Sequence, residues 1–230
     1  MKAGLIVIFR TVKAFVLAFL LVSIYFTICF SFIPPRRTPL MLKRHFEQIG
    51  ETNRTKFKHD WVPIEQISPY LIQAVVATED NRFMKHYGID FGAIRKAKAY
   101  NQQSTRRKRG ASTISQQTAK NVFLWPARTY IRKGFEVYFT LLIETVWSKK
   151  HIMEMYLNMI EMGPGIYGAE AASQHYFHKP AGKLTRHEAA LLAVSLPNPR
   201  KRNPAGPSQY MLQRQQQVLE LMKKIGPVNF

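Results

Sequence analysis

The chain is predicted to be mainly α-helical with one N-terminal membrane-spanning helix, and three observations carry that prediction. Residues 14–33 read AFVLAFLLVSIYFTICFSFI without a charge, about the twenty residues that a helix rising ~1.5 Å per residue needs to cross a bilayer core. Beyond that span, apolar residues recur at helical spacing in one segment after another. No strand-like alternation of useful length appears among them.

Composition narrows the function classes. Among 230 residues, 34 Lys and Arg face 14 Asp and Glu, a formal net charge of +20. That excess suits a polyanionic or anionic-membrane partner: nucleic acid, phospholipid headgroups or a phosphorylated substrate. With 46% hydrophobic and 12% aromatic residues the chain can build a core and is not a disordered polymer. The single cysteine, Cys29, excludes an intramolecular disulfide. The seven histidines include no i, i+4 pair, and neither a G-x-S-x-G elbow nor a phosphate-binding Walker loop is present.

Taken in order, residues 1–13 form a basic segment with Lys2, Arg10 and Lys13. A cleaved signal peptide would have an apolar run of ~7–15 residues ending in small residues; this run is longer and ends in Ile33-Pro34-Pro35-Arg36-Arg37, so 14–33 reads as a retained anchor. Arg36, Arg37, Lys43 and Arg44 oppose the basic residues before the span, and charge counting leaves the orientation open. Residues 34–66, with Pro34, Pro35, Pro39 and Pro63, read as a juxtamembrane linker holding one short helix near 40–49. Residues 67–230 then form the main domain.

Ser68-Pro69 supplies an N-cap and a proline at the first helical position, and Leu71, Ala74, Val75 and Thr78 continue at helical spacing. Glu79 falls in the last turns of this helix, with Gly88 expected to stop it. A carboxylate there is partly desolvated, which raises its pKa toward a useful general base. The basic runs Arg95-Lys96-Ala97-Lys98 and Arg106-Arg107-Lys108-Arg109 read either as a solvated face or as a surface near anionic headgroups. Only Tyr100 interleaves with them, which disfavours nucleic acid.

A helix capped by Ser112 or Thr113 follows, on which Ser112, Gln116 and Lys120 are spaced by four and share one face. That face is either a polar wall for sugar or phosphate or an exposed stripe. Arg132 and Lys133 lie at helical neighbour spacing to Glu136 on a segment that is otherwise strongly apolar. Further helices are expected over residues 150–158, over the Ala-rich segment from 168 to 177, over 184–193 with a Thr185–Glu188 capping box, and over 210–225.

Together these segments resemble the glycosyltransferase family 51 peptidoglycan transglycosylases, in their short, monofunctional, membrane-anchored biosynthetic form. The resemblance covers roughly residues 60–205. It rests on Glu79, Asp80, Phe83, His86, Gly88 and Asp90; on Gly110, Ser112, Thr113, Ile114, Gln116, Gln117, Lys120 and Asn121; on Arg132, Lys133 and Glu136; on Ile152, Tyr156, Leu157, Asn158 and Gly163; and on Gly168, Ala171, Ala172, Tyr176, Phe177 and Lys179, in that order. Two departures are small: Ala111 stands where a second glycine is common, and His178 where glycine often precedes Lys179. The transpeptidase of bifunctional relatives is absent, since neither S-x-x-K nor K-T-G occurs.

The resemblance implies a lysozyme-like helical glycosyltransferase domain that polymerises lipid II onto a growing glycan strand, with inversion at the anomeric carbon and release of polyprenyl pyrophosphate. It implies Glu79 and Glu136 as catalytic carboxylates, Glu79 being the base and Glu136 orienting the basic cluster or a metal. Lys120, Arg128, Arg132 and Lys133 are the candidates to hold the pyrophosphate, the resemblance pointing first at Lys120 and Arg128, and Ser112, Gln116, Gln117 and Asn121 are the candidates for substrate contacts. Asp80 reads as either a structural or a metal-facing neighbour of Glu79, the metal being a divalent cation, Mg or Mn. The expected setting is the bacterial inner membrane, single-pass, with the domain on the periplasmic side, among other cell-wall synthesis or division proteins and without nucleic acid. Two rival readings are a lysozyme-like hydrolase or lytic transglycosylase, which has no need of the basic wall, and a membrane-tethered nucleic-acid-binding protein, which leaves the spaced carboxylates unexplained.

Overall fold

The structure is a computed structural model that describes residues 2–47, 57–104, 110–127 and 129–230. The chain divides into two compact units, one ending at Arg36 and the other spanning Arg37–Phe230. The first unit is helix α1 (Lys2–Cys29), whose stretch Gly4–Cys29 has a mean hydropathy of 2.4 in its most apolar window and buries none of that window within the protein. Side chains such as Leu5, Phe9, Phe15 and Leu21 are exposed on it. A helix apolar on all sides belongs in lipid, and it fits a membrane anchor. It takes in Arg10 and Lys13, so the basic segment before the span is the first turns of the same helix.

The second unit is helical, as the apolar periodicity requires. Helix α2 (Pro39–Glu47) and strand β1 (Lys58–His59) come first, followed by α3 (Pro69–Glu79), α4 (Phe91–Gln103), α5 (Ile114–Phe123), α6 (Tyr130–Val146) and α7 (Lys149–Met159). Strands β2 (Glu161–Gly163) and β3 (Ile166–Tyr167) precede α8 (Ala169–Phe177), α9 (Arg186–Ser195) and α10 (Gln209–Ile225). Helix α3 packs against α9 and α10, and α5 packs against α6 and α7. Leu71, Ala74 and Val75 of α3, Ile114 and Ala119 of α5, and Ile152, Met153 and Tyr156 of α7 are fully buried.

Several local signals act as read. Ser68 caps α3 by accepting from Tyr70 N, with Pro69 in the first turn. Thr185 and Glu188 form a reciprocal capping box on α9. Two readings are corrected. Helix α3 ends at Glu79 with Asp80 as its C-cap, well before Gly88. Gly88 has φ +77° in the loop that leads to α4, and a Cβ there would lie 2.6 Å from Thr140 Cγ2, so it permits close approach of α6 instead of ending α3.

The segment read as a linker is also built into this unit. Met41 of α2 is fully buried with Met159 and Tyr167, and Leu40 and Trp61 pack on that cluster. Strand β1 pairs in parallel with β3, and β2 pairs antiparallel with β3, giving the order β1-β3-β2. Strands of two or three residues are too short for alternation to show in a sequence. Asn158, fully buried, fastens this corner. Its Nδ2 donates to Val62 O and Glu154 O, both at 2.9 Å, while its Oδ1 accepts from Val62 N at 3.0 Å. At Gly168, φ +84°, a Cβ would sit 2.7 Å from Asn158 O, so glycine is needed for the chain to turn into α8.

His178, the C-cap of α8, holds φ 56° and ψ 37°, the left-handed conformation, and its side chain is exposed. This backbone costs a non-glycine residue on the order of 1–2 kcal/mol, and glycine returns part of that through its unfolded-state entropy. His178→Gly is therefore expected to stabilise the domain by up to about 1 kcal/mol, read as a higher urea midpoint at unchanged m-value.

Candidate active site

The end of α3, the start of α4 and the strand-like entry to α5 enclose a cleft of about 200 Å³. Glu79, Asp80, Asn81, Asp90, Ser112 and Thr113 are on its wall. The cleft continues past Asn81, Asp90 and Gly110 into a second hollow of about 260 Å³ bounded by Arg82 and Lys96.

Asp80 makes the corner. Its Oδ1 and Oδ2 both lie 3.0 Å from His86 Nε2, and its Oδ2 accepts from Ile114 N, the first amide of α5, at 3.1 Å. Its side chain is 4% exposed. Phe83, fully buried beneath this loop, carries Lys149 Nζ 4.6 Å from its ring centroid. Thr113, the N-cap of α5, donates from Oγ1 to Gly88 O and shares a capping box with Gln116. The expected pairing of Asp80 with a divalent metal does not fit, because these contacts engage both of its oxygens. Among the described residues no three His, Cys, Asp or Glu side chains are placed to hold a metal ion.

Glu79 is positioned by that corner. Its Oε2 accepts from Gln117 Nε2 at 2.8 Å. Burial raises its pKa above the ordinary carboxylate value, opposed by the Gln117 hydrogen bond and the Lys120 charge, with Asp80 adding to the rise. Lys120 lies one helical turn from Gln117 on α5; burial lowers its pKa, and the charges of Arg132 and Lys133 add to that while Glu136 and Glu79 oppose it. The polar wall of α5 is thus Gln117 and Lys120. Ser112 precedes the helix, and Gln116 is buried with its Oε1 accepting from Thr113 N at 3.0 Å, which makes it a cap and not a substrate contact. Asn121 is likewise buried on the side of α5 turned to the core.

Glu136 of α6 has a side chain 4% exposed. It accepts from Arg132 Nη1 at 2.6 Å and from Lys133 Nζ at 2.5 Å, the i, i+4 and i, i+3 neighbours that the sequence pairs. Lys133 Nζ also reaches Ser112 Oγ at 3.4 Å, which ties α6 to the cleft wall. Arg132 Nε is buried with no hydrogen-bond partner among the described residues. Two guanidinium or ammonium groups on one carboxylate, with Lys120 near, leave the cluster net positive. Net positive charge of this kind attracts anions. Arg128 and the basic residues 106–109 lie outside the described residues; Arg95, Lys96 and Lys98 on α4 are exposed.

The site therefore brings together Glu79, Gln117, Lys120, Arg132, Lys133, Glu136 and Ser112, and assigns Asp80, Gln116 and Asn121 to the frame. One residue that the sequence reading placed only in a motif is Tyr156. It is fully buried on α7 with its Oη 3.5 Å from Gln117 Oε1. A phenol on a buried helix face needs a polar partner, and that was the signal available.

Comparison with known proteins adds the following. A family profile described as transglycosylase matches residues 45–223. A protein of Bacteroides thetaiotaomicron named biosynthetic peptidoglycan transglycosylase is 51% identical over 95% of this chain and 88% of its own length. Proteins of the same name from Bdellovibrio bacteriovorus and Escherichia coli are 50% and 47% identical, over 90% and 98% of this chain and 82% and 96% of theirs.

The raised pKa of Glu79 carries a stability consequence. A carboxyl whose folded pKa exceeds its unfolded value favours the fold fully below that unfolded value, about 4.3, and less as pH rises through the folded pKa. Glu79→Gln keeps an oxygen for Gln117 to donate to and removes the buried charge. Its melting temperature is expected above wild type at pH 7–8, with the difference vanishing near pH 4, in detergent-solubilised full-length protein.

Proposed function

This chain belongs to the transglycosylase family, and from that membership and the geometry of the cleft we infer how it works. It is a peptidoglycan glycosyltransferase, an enzyme that joins sugar units into glycan strands. We read the substrate as lipid II, which arrives at the cleft both as glycosyl donor and as acceptor.

The observation that carries this reading is the net positive cluster of Lys120, Arg132 and Lys133 beside a buried carboxylate, Glu79. A glycosidase that expels an alcohol needs a second carboxyl group to protonate the leaving oxygen. A sugar pyrophosphate leaves as a stable anion and needs fixed positive charge instead. In the reading proposed, Glu79 takes the proton from the acceptor's 4-hydroxyl as that oxygen attacks the donor's anomeric carbon. The bond from that carbon to the pyrophosphate oxygen breaks on the opposite face, so an α-linked sugar becomes β-linked. The bonding pair leaves on the polyprenyl pyrophosphate, facing Lys120 and the free Nε of Arg132, with Arg128 assigned there by resemblance. Glu136 holds Arg132 and Lys133 in place and moves no proton. A divalent cation, Mg or Mn, has no carboxylate cluster to hold it among the described residues, and no step is assigned to it.

The apolar helix α1 supports a membrane anchor; by resemblance to the family we read the setting as the bacterial inner membrane with the domain on the periplasmic side, where lipid anchors confine both substrates to one surface and raise their effective concentration. Other cell-wall synthesis or division proteins are the proposed neighbours, and no nucleic acid is involved.

Glu79→Gln is expected to abolish polymer formation from purified lipid II while leaving lipid II binding nearly intact; substantial glycan synthesis by the folded variant sinks the base assignment. Lys120→Ala is expected to lower kcat/KM by at least ~100-fold, as loss of one fixed transition-state charge does. Turnover at the wild-type rate would remove Lys120 from the pyrophosphate site.

A further inference from the structure

We propose that Tyr156 is a positioning residue for Glu79 and acts through Gln117, holding that side chain's amide with its NH2 group toward the carboxylate. The proposal rests on the reading of Glu79 as the base. Three side chains from three helices form a line: Tyr156 Oη on α7 donates to Gln117 Oε1 at 3.5 Å, and Gln117 Nε2 on α5 donates to Glu79 Oε2, at the end of α3, at 2.8 Å.

A glutamine amide has two nearly isosteric orientations. With NH2 toward Glu79, the ionised carboxylate receives a hydrogen bond, and the oxygen of Glu79 that Gln117 does not engage is left for the acceptor's hydroxyl. With the carbonyl toward Glu79, two acceptors face each other unless Glu79 carries a proton, and a protonated Glu79 is no base. Tyr156 separates these states. Its hydroxyl is fully buried, and Gln117 Oε1 is the acceptor it reaches among the described residues. Turning the amide over would leave that O–H without an acceptor in the core, where an unsatisfied donor is costly.

The donor is also permanent. Burial, and after it the charges of Glu79 and Asp80, hold the Tyr156 phenol well above its ordinary pKa. The other charged groups facing Glu79 are Lys120 from α5 and Asp80 beside it, the latter fixed by His86 and Ile114 N. Removing the Tyr156 hydroxyl leaves all of them in place. Tyr156 is fully buried and reaches Glu79 only through Gln117, so the role assigned to it is positioning and not catalysis.

The test is Tyr156→Phe in the full-length protein, assayed for polymerisation of lipid II across pH. The expected result is a kcat lower by about tenfold, the effect of losing one hydrogen bond to a positioned group, with KM unchanged and the acid limb of the kcat profile moved to higher pH. In a Gln117→Ala background the same change should cost nothing further. An unchanged kcat and acid limb overturns the proposal. So does an equal loss in both backgrounds, which would mean that the hydroxyl acts through packing. Glu79→Gln separates this from the parent reading: an active Glu79→Gln removes the base itself, whereas an inactive Glu79→Gln beside a wild-type-like Tyr156→Phe removes only the relay.

Discussion

The site depends on one buried carboxylate that does no chemistry. Asp80 takes a hydrogen bond from His86 Nε2 and another from the first amide of α5, so it joins the C-terminus of α3 to the N-terminus of α5. A carboxylate at a helix N-terminus meets unsatisfied N–H groups and the positive end of the helix dipole. Because Glu79 closes α3, and Gln117 and Lys120 stand one turn and two turns into α5, this junction sets the distances among the Glu79 carboxyl, the Gln117 amide and the Lys120 amine. Phe83 and Lys149 support the loop from below.

The same economy governs charge. Glu136 alone neutralises part of a cluster to which Arg132, Lys133 and Lys120 contribute, and Lys120 feels both carboxylates of the site. Burial acts in opposite directions on Glu79 and Lys120, two groups whose charges act on each other. It raises the pKa of Glu79 and lowers that of Lys120, so it disfavours the charged form of each.

Much of this was legible in the residues. Caps at Ser68 and Thr185 set helix starts because a side-chain oxygen meets orphan amides wherever the chain allows it, and the i, i+3 and i, i+4 pairing of Arg132 and Lys133 with Glu136 follows from helix geometry alone. What periodicity does not carry is which polar residue faces inward. Gln116 and Gln117 are adjacent and alike in sequence, yet one closes a cap and the other meets Glu79, a choice made when Thr113 and not Ser112 became the cap. Asp80 beside Glu79 reads as either structural or metal-facing for the same reason: its partners, His86 and an amide of α5, become neighbours only on folding. The strands β1, β2 and β3 were hidden by their brevity, and Gly88 by a contact with Thr140 on α6 that is remote in sequence.

The sheet corner bears on where this protein can be cut. Residues 58 and 59 supply an edge strand, Val62 bonds the Asn158 side chain through both its N–H and its carbonyl, and Met41 fills the space between Met159 and Tyr167. A soluble form begun at residue 67, the apparent domain edge, would strip a strand from the sheet and open a void beside Tyr167. The compact unit begins at Arg37, so the shortest anchor-free version that keeps its architecture whole starts there, immediately after the prolines that follow the membrane helix.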